Sequence, residues 1–469
     1  MTWEQTDRAT LAVGADALWA VLSDLTTWAR WCPGVADAVL HGPLRVGQTG
    51  TLGLAMPVVG AVHRRTAPPL RVHEVVPGRR LVLEQPQPRG ALRVTWELTP
   101  GSDGLTTFAQ TLRIEGPLSA GFTPFVRRLL AGSPPLDAAR LYALAGGGVR
   151  PAAPKVVIAG GTGTLGRRLA ADLVCRGVEV VVLTRSVQPD LPFRQVTWDG
   201  KTVGDWADEL AEPGRTSLVN LAGRLVDVRP TAANIASLRD SRVDSTHALV
   251  HASRTLPAPL QHWLQASTTA IYGDAGEQPC DESTPVPPDG LPQMTGVAAP
   301  WEAAFAGANT EHGVVLRTSL VLDRGAPVLD RLVGVARVGL GGPIGDGRQW
   351  VSWIHVEDWL SIARAALGLE PGLTLPDGVV VAAAPEPVRN AELMARLRAH
   401  LRRPWAPPTP APLLRIGSVA LRTDPALAIT GRHATSTVLA EAGYDFAYPT
   451  LDTALDNLLG PVRDGRAAG

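Results

Sequence analysis

Lysine is almost missing from this sequence. Of 44 cationic residues in 469, only Lys155 and Lys201 are lysines, so a reaction needing an amine must find it at one of those two places. Cysteine is scarce too. Cys32, Cys175 and Cys280 are odd in number, widely spread and without a C-x-x-C pair, which supports neither a disulfide framework nor a zinc ribbon. No apolar run approaches the roughly 20 residues of a membrane span, and the start, MTWEQTDR, is polar. Net charge is zero and no basic run carries interleaved aromatics, so neither a membrane nor a nucleic acid is expected as partner, and a cytoplasmic location is expected. His247 and His251 stand at i, i+4, but HALVH lacks the glutamate of H-E-x-x-H, and no metal is expected. With 45% hydrophobic and 19% charged residues, the chain is too apolar for disorder and too long for one ordinary domain.

What is present is organised around Lys155 to Ser186. Val156–Ala159 is a short β-branched run that ends in Gly160, Gly161, Thr162, Gly163, Thr164, Leu165 and Gly166, after which apolar residues recur with helical spacing at Leu165, Leu169 and Leu173. This is strand, glycine turn, helix, with glycines spaced as G-x-G-x-x-G from Gly161. Glycine suits a backbone that must turn sharply, admit a pyrophosphate and pack helix close to strand, while the phosphates meet free N–H groups at the helix start. Val178–Leu183 supplies a second buried strand. Where an NAD site usually carries a carboxylate for the ribose 2′-hydroxyl, this chain has Thr184, Arg185 and Ser186, a cation between hydroxyls suited to a 2′-phosphate. NADP is the expected cofactor, with NAD as the alternative; a solvated surface arginine is the plainer reading of Arg185.

Alternation of strand and helix continues. Phe193–Trp198 reads as a third strand leading to Asp199, placed either to bond the adenine or to cap a turn. Ser217–Leu221 reads as a fourth, delivering Asn220, Leu221, Ala222 and Gly223 to the carboxyl edge. Asn234–Ser253 reads as a helix, and Trp263–Gly273 as a fifth strand ending in Ser267, Thr268, Thr269 and Tyr272. The fold class expected here is an α/β doubly wound parallel sheet (Rossmann).

Residues 1–148 carry no glycine turn. A strand at Thr6–Val13, a helix capped at Asp16 with Leu18, Val21, Leu22 and Leu25 inward, strand-like stretches from Gly50 to Glu115 and a helical region from Pro117 to Ala145 follow one another. This order resembles the α+β helix-grip fold of the START and polyketide-cyclase superfamily, which implies a cavity for a lipophilic ligand. Gly132, Ser133, Pro134 and Pro135 interrupt the helix that the superfamily keeps continuous. Trp19, Trp28, Trp31 and Trp96 are placed either to line such a pocket or to form plain core. A linker at 149–154, a nucleotide-binding domain at 155–405 and a small terminal domain at 406–469 complete the division.

From residue 155 onward the chain resembles extended short-chain dehydrogenases/reductases, and within them the atypical epimerase family. GGTGTLG at Gly160–Gly166, NLAG at Asn220–Gly223, DSRVDST at Asp240–Thr246, Trp301-Glu302, GGPIGDGRQWVSWIHVEDW at Gly341–Trp359 and GYDFAYPTLDTAL at Gly443–Leu455 carry the resemblance. It implies an oxidoreductase or epimerase acting on a small carbonyl or hydroxyl substrate. The superfamily activates a tyrosine with a lysine four residues later. Counting back from Glu302 places Met294 and Ala298 at those positions, and neither lysine can follow a tyrosine by four. An unassisted phenol of pKa about 10 is roughly one part in a thousand ionised at pH 7. Ser267, Thr268 and Tyr272 remain as candidate catalytic groups, with capping and packing as their structural alternative.

Within Gly341–Trp359, glycines are followed by Arg348, Trp350 and His355, candidate substrate-binding residues; Arg348 suits an anionic group, and His355 either a general acid or a hydrogen-bonded partner of Asp358. Two functions compete: an NADP-dependent oxidoreductase, or a non-catalytic NADP-binding sensor favoured by the missing dyad.

Overall fold

A computed structural model describes residues 2–56, 68–87, 89–117, 134–212, 214–226, 228–403, 405–409 and 426–460, together with 121, 123 and 126. The chain divides into two compact units. The first comprises Met1–Ala153 with Arg167–Val180 and Pro189–Phe193; the second comprises the rest.

In the first unit, strand β1 (Thr2–Leu11) is followed by helices α1 (Ala15–Ser23) and α2 (Trp28–Trp31). An antiparallel run then follows: β2 (Val35–Leu40), β3 (Thr49–Leu54), β4 (Leu70–Val76), β5 (Arg80–Gln87), β6 (Gly90–Pro100) and β7 (Thr106–Glu115). The sheet order is β1-β7-β6-β5-β4-β3-β2, so the first and last strands in sequence are hydrogen-bonded neighbours. Helix α3 (Pro134–Leu144) closes the segment. The expected helix from Pro117 is thus seen from Pro134 onward, and most of 117–133 lies outside the described residues. Asp16 does not cap α1: Gly14 occupies that position, with Asp16 inside the first turn. Leu18, Leu22, Trp28, Trp31, Leu83, Trp96 and Leu112 share one buried core. Trp28 lies edge-on to Trp96 at 4.7 Å, and Trp96 Nε1 donates to Gln110 Oε1 at 2.9 Å, so these indoles are fixed as core.

The second fold is a seven-stranded parallel sheet. Its strands are β8 (Lys155–Ala159), β9 (Glu179–Thr184), β10 (Arg194–Thr197), β11 (Thr216–Asn220), β12 (Leu260–Thr268), β14 (Thr310–Thr318) and β18 (Gly378–Ala382), with the short β13 (Pro279–Cys280), β15 (Leu320–Leu322), β16 (Trp350–Val351) and β17 (Trp353–His355) between them. The order β10-β9-β8-β11-β12-β14-β18 reverses direction between β8 and β11. That reversal opens a crevice at the carboxyl ends, where doubly wound sheets take their ligands. Helix α4 (Thr164–Cys175) follows the glycine turn, α5 (Ala232–Arg254) follows β11, and α6 (Thr295–Ala303) precedes β14. Beyond them lie α7 (Pro327–Arg337), α8 (Val356–Ala366) and α9 (Asn390–His400). Short α10 (Ala426–Ile429), β19 (Val388–Arg389), β20 (His433–Ala434), α11 (Thr437–Glu441) and α12 (Leu451–Leu459) complete the described elements.

Candidate functional site

Three of the four turn glycines are demanded by their neighbours. Gly160 has φ +78°, and a Cβ on it would lie 2.7 Å from the Leu221 carbonyl. On Gly161 it would meet the Val182 methyls at 2.7 Å, and on Gly166 the Gly160 oxygen at 2.5 Å. Gly163 differs: a Cβ there would meet only the Gly160 oxygen, at 3.3 Å. It is exposed with Thr164, and Thr162 and Leu165 are half-buried, so the start of α4 presents free N–H groups to the crevice. The cradle fits a pyrophosphate: strand, helix and second strand close round it, and Gly163, exposed and without a side chain, leaves the approach to the helix start uncovered.

At the end of β9, Thr184 is buried and its Oγ1 donates to Ser186 O at 2.9 Å, shaping the turn; Thr162 Oγ1 lies 3.5 Å away. Arg185 and Ser186 are exposed, and Arg185 has no carboxylate partner among the described residues. Trp198 N donates to Thr184 O, which brings Asp199 beside the same strand end. Asp199 caps a turn, accepting from Lys201 N at 2.8 Å, Thr202 N at 2.9 Å and Thr202 Oγ1 at 2.6 Å. Those bonds, the hydroxyl first, hold its carboxyl down at about 2.

Asn220 is fully buried. Its Nδ2 donates to Thr246 Oγ1 at 2.9 Å and Gln265 Oε1 at 3.0 Å, and its Oδ1 accepts from Ala222 N, so one side chain ties β11 to α5, β12 and the following loop. Leu221 N donates to Ala159 O. Gly223 lies against the side chain of Arg242. The glycine turn, Thr184 to Ser186, Asp199 and Asn220 to Gly223 therefore share one carboxyl edge.

The hydroxyl groups at the end of β12 are already engaged. Ser267 Oγ donates to Glu302 Oε1 at 2.5 Å, and Thr268 Oγ1 accepts from Ala270 N to cap the 3-10 turn Thr269–Tyr272. Tyr272 donates its phenol proton to Asp281 O at 2.6 Å and accepts from Arg317 Nη1 at 3.1 Å. Burial pushes this phenol up to about 12 despite the adjacent guanidinium. Arg317 holds Glu302 with two bonds, of 2.9 and 2.8 Å, and the ion pair is nearly buried. Sequence reasoning missed Arg317; the lysine shortage was the signal that a cation at the end of β12 would be an arginine. Met294 and Ala298 are both buried, Met294 at the N-cap of α6. Lys155 pairs with Glu209 at the amino edge and Lys201 lies 3.6 Å from Asp244, so neither amine reaches the end of β12.

The three residues singled out in Gly341–Trp359 are not gathered at one point. Arg348 is exposed. Trp350 stacks under the Arg389 guanidinium at 3.8 Å and donates to Glu277 Oε2. His355 is buried: Nδ1 accepts from Glu357 N, which makes Nε2 the protonated nitrogen, and Nε2 faces Asn457 Oδ1 at 3.2 Å. Its ring stacks on Tyr448 at 3.8 Å. The expected pairing of Asp358 with His355 is replaced by other partners. It accepts from Ala447 N, Tyr448 N and Tyr444 Oη, because the helix start turns it toward the terminal segment.

Fold and turn together define a dinucleotide-binding protein of the extended short-chain dehydrogenase type. A family model described as NAD dependent epimerase/dehydratase family matches residues 156–372, one described as polyketide cyclase/dehydrase and lipid transport matches 2–145, and a domain of unknown function matches 409–458. Epimerase family protein SDR39U1 of Bos taurus is 30% identical over 311 residues, covering 65% of this chain and 99% of the relative. Epimerase family protein MT2273 of Mycobacterium tuberculosis is 31% identical over 309 residues, covering 64% and 96%. The chain belongs to this epimerase family. The crystal structure of human SDR39U1 (isoform 2) with NADPH matches with a TM-score of 0.55 at 29% identity, over 65% of this chain and 99% of that one. A nucleoside-diphosphate sugar epimerase structure from Corynebacterium glutamicum, 21% identical, covers 98% of this chain and 91% of its own with a TM-score of 0.58, and shares the fold.

Proposed function

We propose that the chain binds NADP at the carboxyl edge of the parallel sheet and serves as an oxidoreductase or epimerase of a small carbonyl or hydroxyl substrate. The observation that carries the reading is the glycine turn, where Gly160, Gly161 and Gly166 leave no room for a side chain and Gly163 stands exposed at the α4 N-terminus. Thr162, Thr164 and Leu165 would hold the pyrophosphate with backbone N–H groups, beside Gly163, whose own N–H closes the turn on Gly160 O, and Arg185 would hold the 2′-phosphate. Bound there, the coenzyme supplies a hydride donor or acceptor. Asn220 keeps the crevice wall in register, and NAD is the weaker alternative ligand. The presence of NADPH in the human relative's crystal supports the coenzyme choice. We assign the first 148 residues a lipophilic ligand on the strength of their family match, and the whole chain a cytoplasmic site.

A second reading, a non-catalytic NADP-binding sensor, is favoured by one specific observation. The tyrosine at the strand end donates its proton to Asp281 O and has a raised pKa, the reverse of what an acid working at neutral pH needs. NADPH oxidation over a panel of small aldehydes and ketones decides between them. Turnover that falls at least tenfold in Thr268→Ala or Tyr272→Phe supports the enzyme; tight NADPH binding without turnover supports the sensor.

A further inference from the structure

The positive charge that a dehydrogenase of this type places on the helix before β14 is missing, since Ala298 stands there, buried on α6. Three residues further along α6, the Trp301 ring lies under a guanidinium from another element: Arg242 Cζ is 5.0 Å from the ring centroid. Arg242 comes from the middle of α5 and lies where Gly223 has no side chain; a Cβ on Gly223 would meet its Cγ and Cζ at 3.0 Å. Of the five N–H donors of a guanidinium, one is used among the described residues, from Nη1 to Leu238 O at 2.9 Å. No carboxylate pairs with Arg242 among the described residues, whereas the guanidiniums of Arg317 and Arg364 pair with Glu302 and Glu370. Burial pulls it down to about 10, which leaves it charged at neutral pH. Trp301 Nε1 beside it is buried and has no acceptor among the described residues, and Arg224, next to Gly223, bonds to Ser237 through its side chain and to Ser241 through its backbone N–H. A half-buried cation left with free donors at a ligand-binding edge lacks its counter-ion.

We propose that Arg242 is the anion-binding residue of the crevice, taking an anionic oxygen of the ligand that crosses Gly223 and so supplying from α5 the charge that α6 lacks. The chemistry is one, a guanidinium on an oxyanion; its source is a phosphate of the coenzyme or an acidic group of the substrate. The inference rests on the NADP reading above and adds a residue to that site.

The test is calorimetric titration of the full chain and of Arg242→Gln and Arg242→Lys with two probes, NADPH, and malonate added to NADP-saturated protein as a small dianion. Loss of a charge-assisted hydrogen bond weakens binding on the order of ten- to a hundredfold. Arg242→Gln is expected to lose that much for one probe, while Arg242→Lys recovers most of it. Loss confined to NADPH identifies the coenzyme phosphate as the partner; loss confined to malonate identifies the substrate. Equal affinity of wild type and Arg242→Gln for NADPH and for malonate, with unchanged unfolding midpoints, overturns the inference and leaves the NADP reading standing. A loss that Arg242→Lys does not recover reveals a packing role and overturns it too. A wild-type chain that binds no NADPH overturns the NADP reading, and this inference with it.

Discussion

Gly166 carries a steric argument that a single methyl group tests. Its Cβ would stand 2.5 Å from the Gly160 oxygen and 2.6 Å from Gly161 Cα, both backbone atoms that cannot rotate away. Gly166→Ala should therefore displace the turn itself, costing about 1 to 3 kcal/mol of stability and weakening NADPH at least tenfold. Gly163→Ala makes a single contact, at 3.3 Å from the Gly160 oxygen, and should cost less stability than Gly166→Ala while still weakening NADPH, because the methyl group would occupy the approach to α4. Thermal unfolding combined with coenzyme titration separates these effects. Elsewhere, Asp137 is a buried carboxyl held by Arg140 at 2.9 Å. Burial outweighs that partner and raises it to about 7. Since the folded value lies above the unfolded one, Asp137 contributes stability that is complete below about pH 4 and is lost as pH rises through 7. Asp137→Asn should flatten that slope and raise the unfolding midpoint at pH 8 relative to pH 5. A midpoint that responds to pH identically in both proteins contradicts this assignment.

At the scale of elements, the carboxylates of α8 and of the chain before it act as anchors. Asp358, in the first turn of α8, receives three donors from residues 444 to 448 and so fixes the start of the terminal piece. Glu282 does the same for α11, accepting from Ser436 Oγ, Thr437 N and Thr437 Oγ1. Asp358→Ala leaves buried donors unsatisfied and should cost roughly 3 kcal/mol, with hydrogen exchange rising first along Leu451–Leu459. Protection there equal to wild type would argue against the anchor.

Elements whose pattern is local were legible in the sequence: β8, the turn, α4 and β9 show continuous apolar runs and helical spacing. The end of β12 was not. The residues predict a strand from Trp263 to Gly273, but it stops at Thr268, whose Oγ1 caps a 3-10 turn in place of further strand. Strand β2, VADAVL, was invisible because alternating alanine and aspartate carry little strand preference, and pairing with β3 supplies what the residues lack. Candidate site residues near the turn are local too. Ser267, Tyr272 and His355 depend on distant partners, Glu302, Arg317 and Asn457, which no spacing reveals.

For the molecule as a whole, helix α4 is divided between two compact units: its first turn belongs with the glycine turn, and Arg167 onward belongs with residues 1–153. Ala12 N donates to Cys175 O, Arg150 N to Gly177 O and Arg140 Nη2 to Asp190 O. A fragment beginning at Lys155 would lose all three and expose Ala171 and Cys175, so its unfolding midpoint should fall and its NADPH affinity should fall with it. In the full chain, NADPH at a hundred times its dissociation constant should add about 2.7 kcal/mol. Titration of the intact protein with NADPH and NADH, repeated on Arg185→Ala, reaches the claim most directly. The account predicts heat with NADPH, binding at least tenfold tighter than NADH, and loss of that preference in Arg185→Ala. No heat with either coenzyme from folded protein would contradict it.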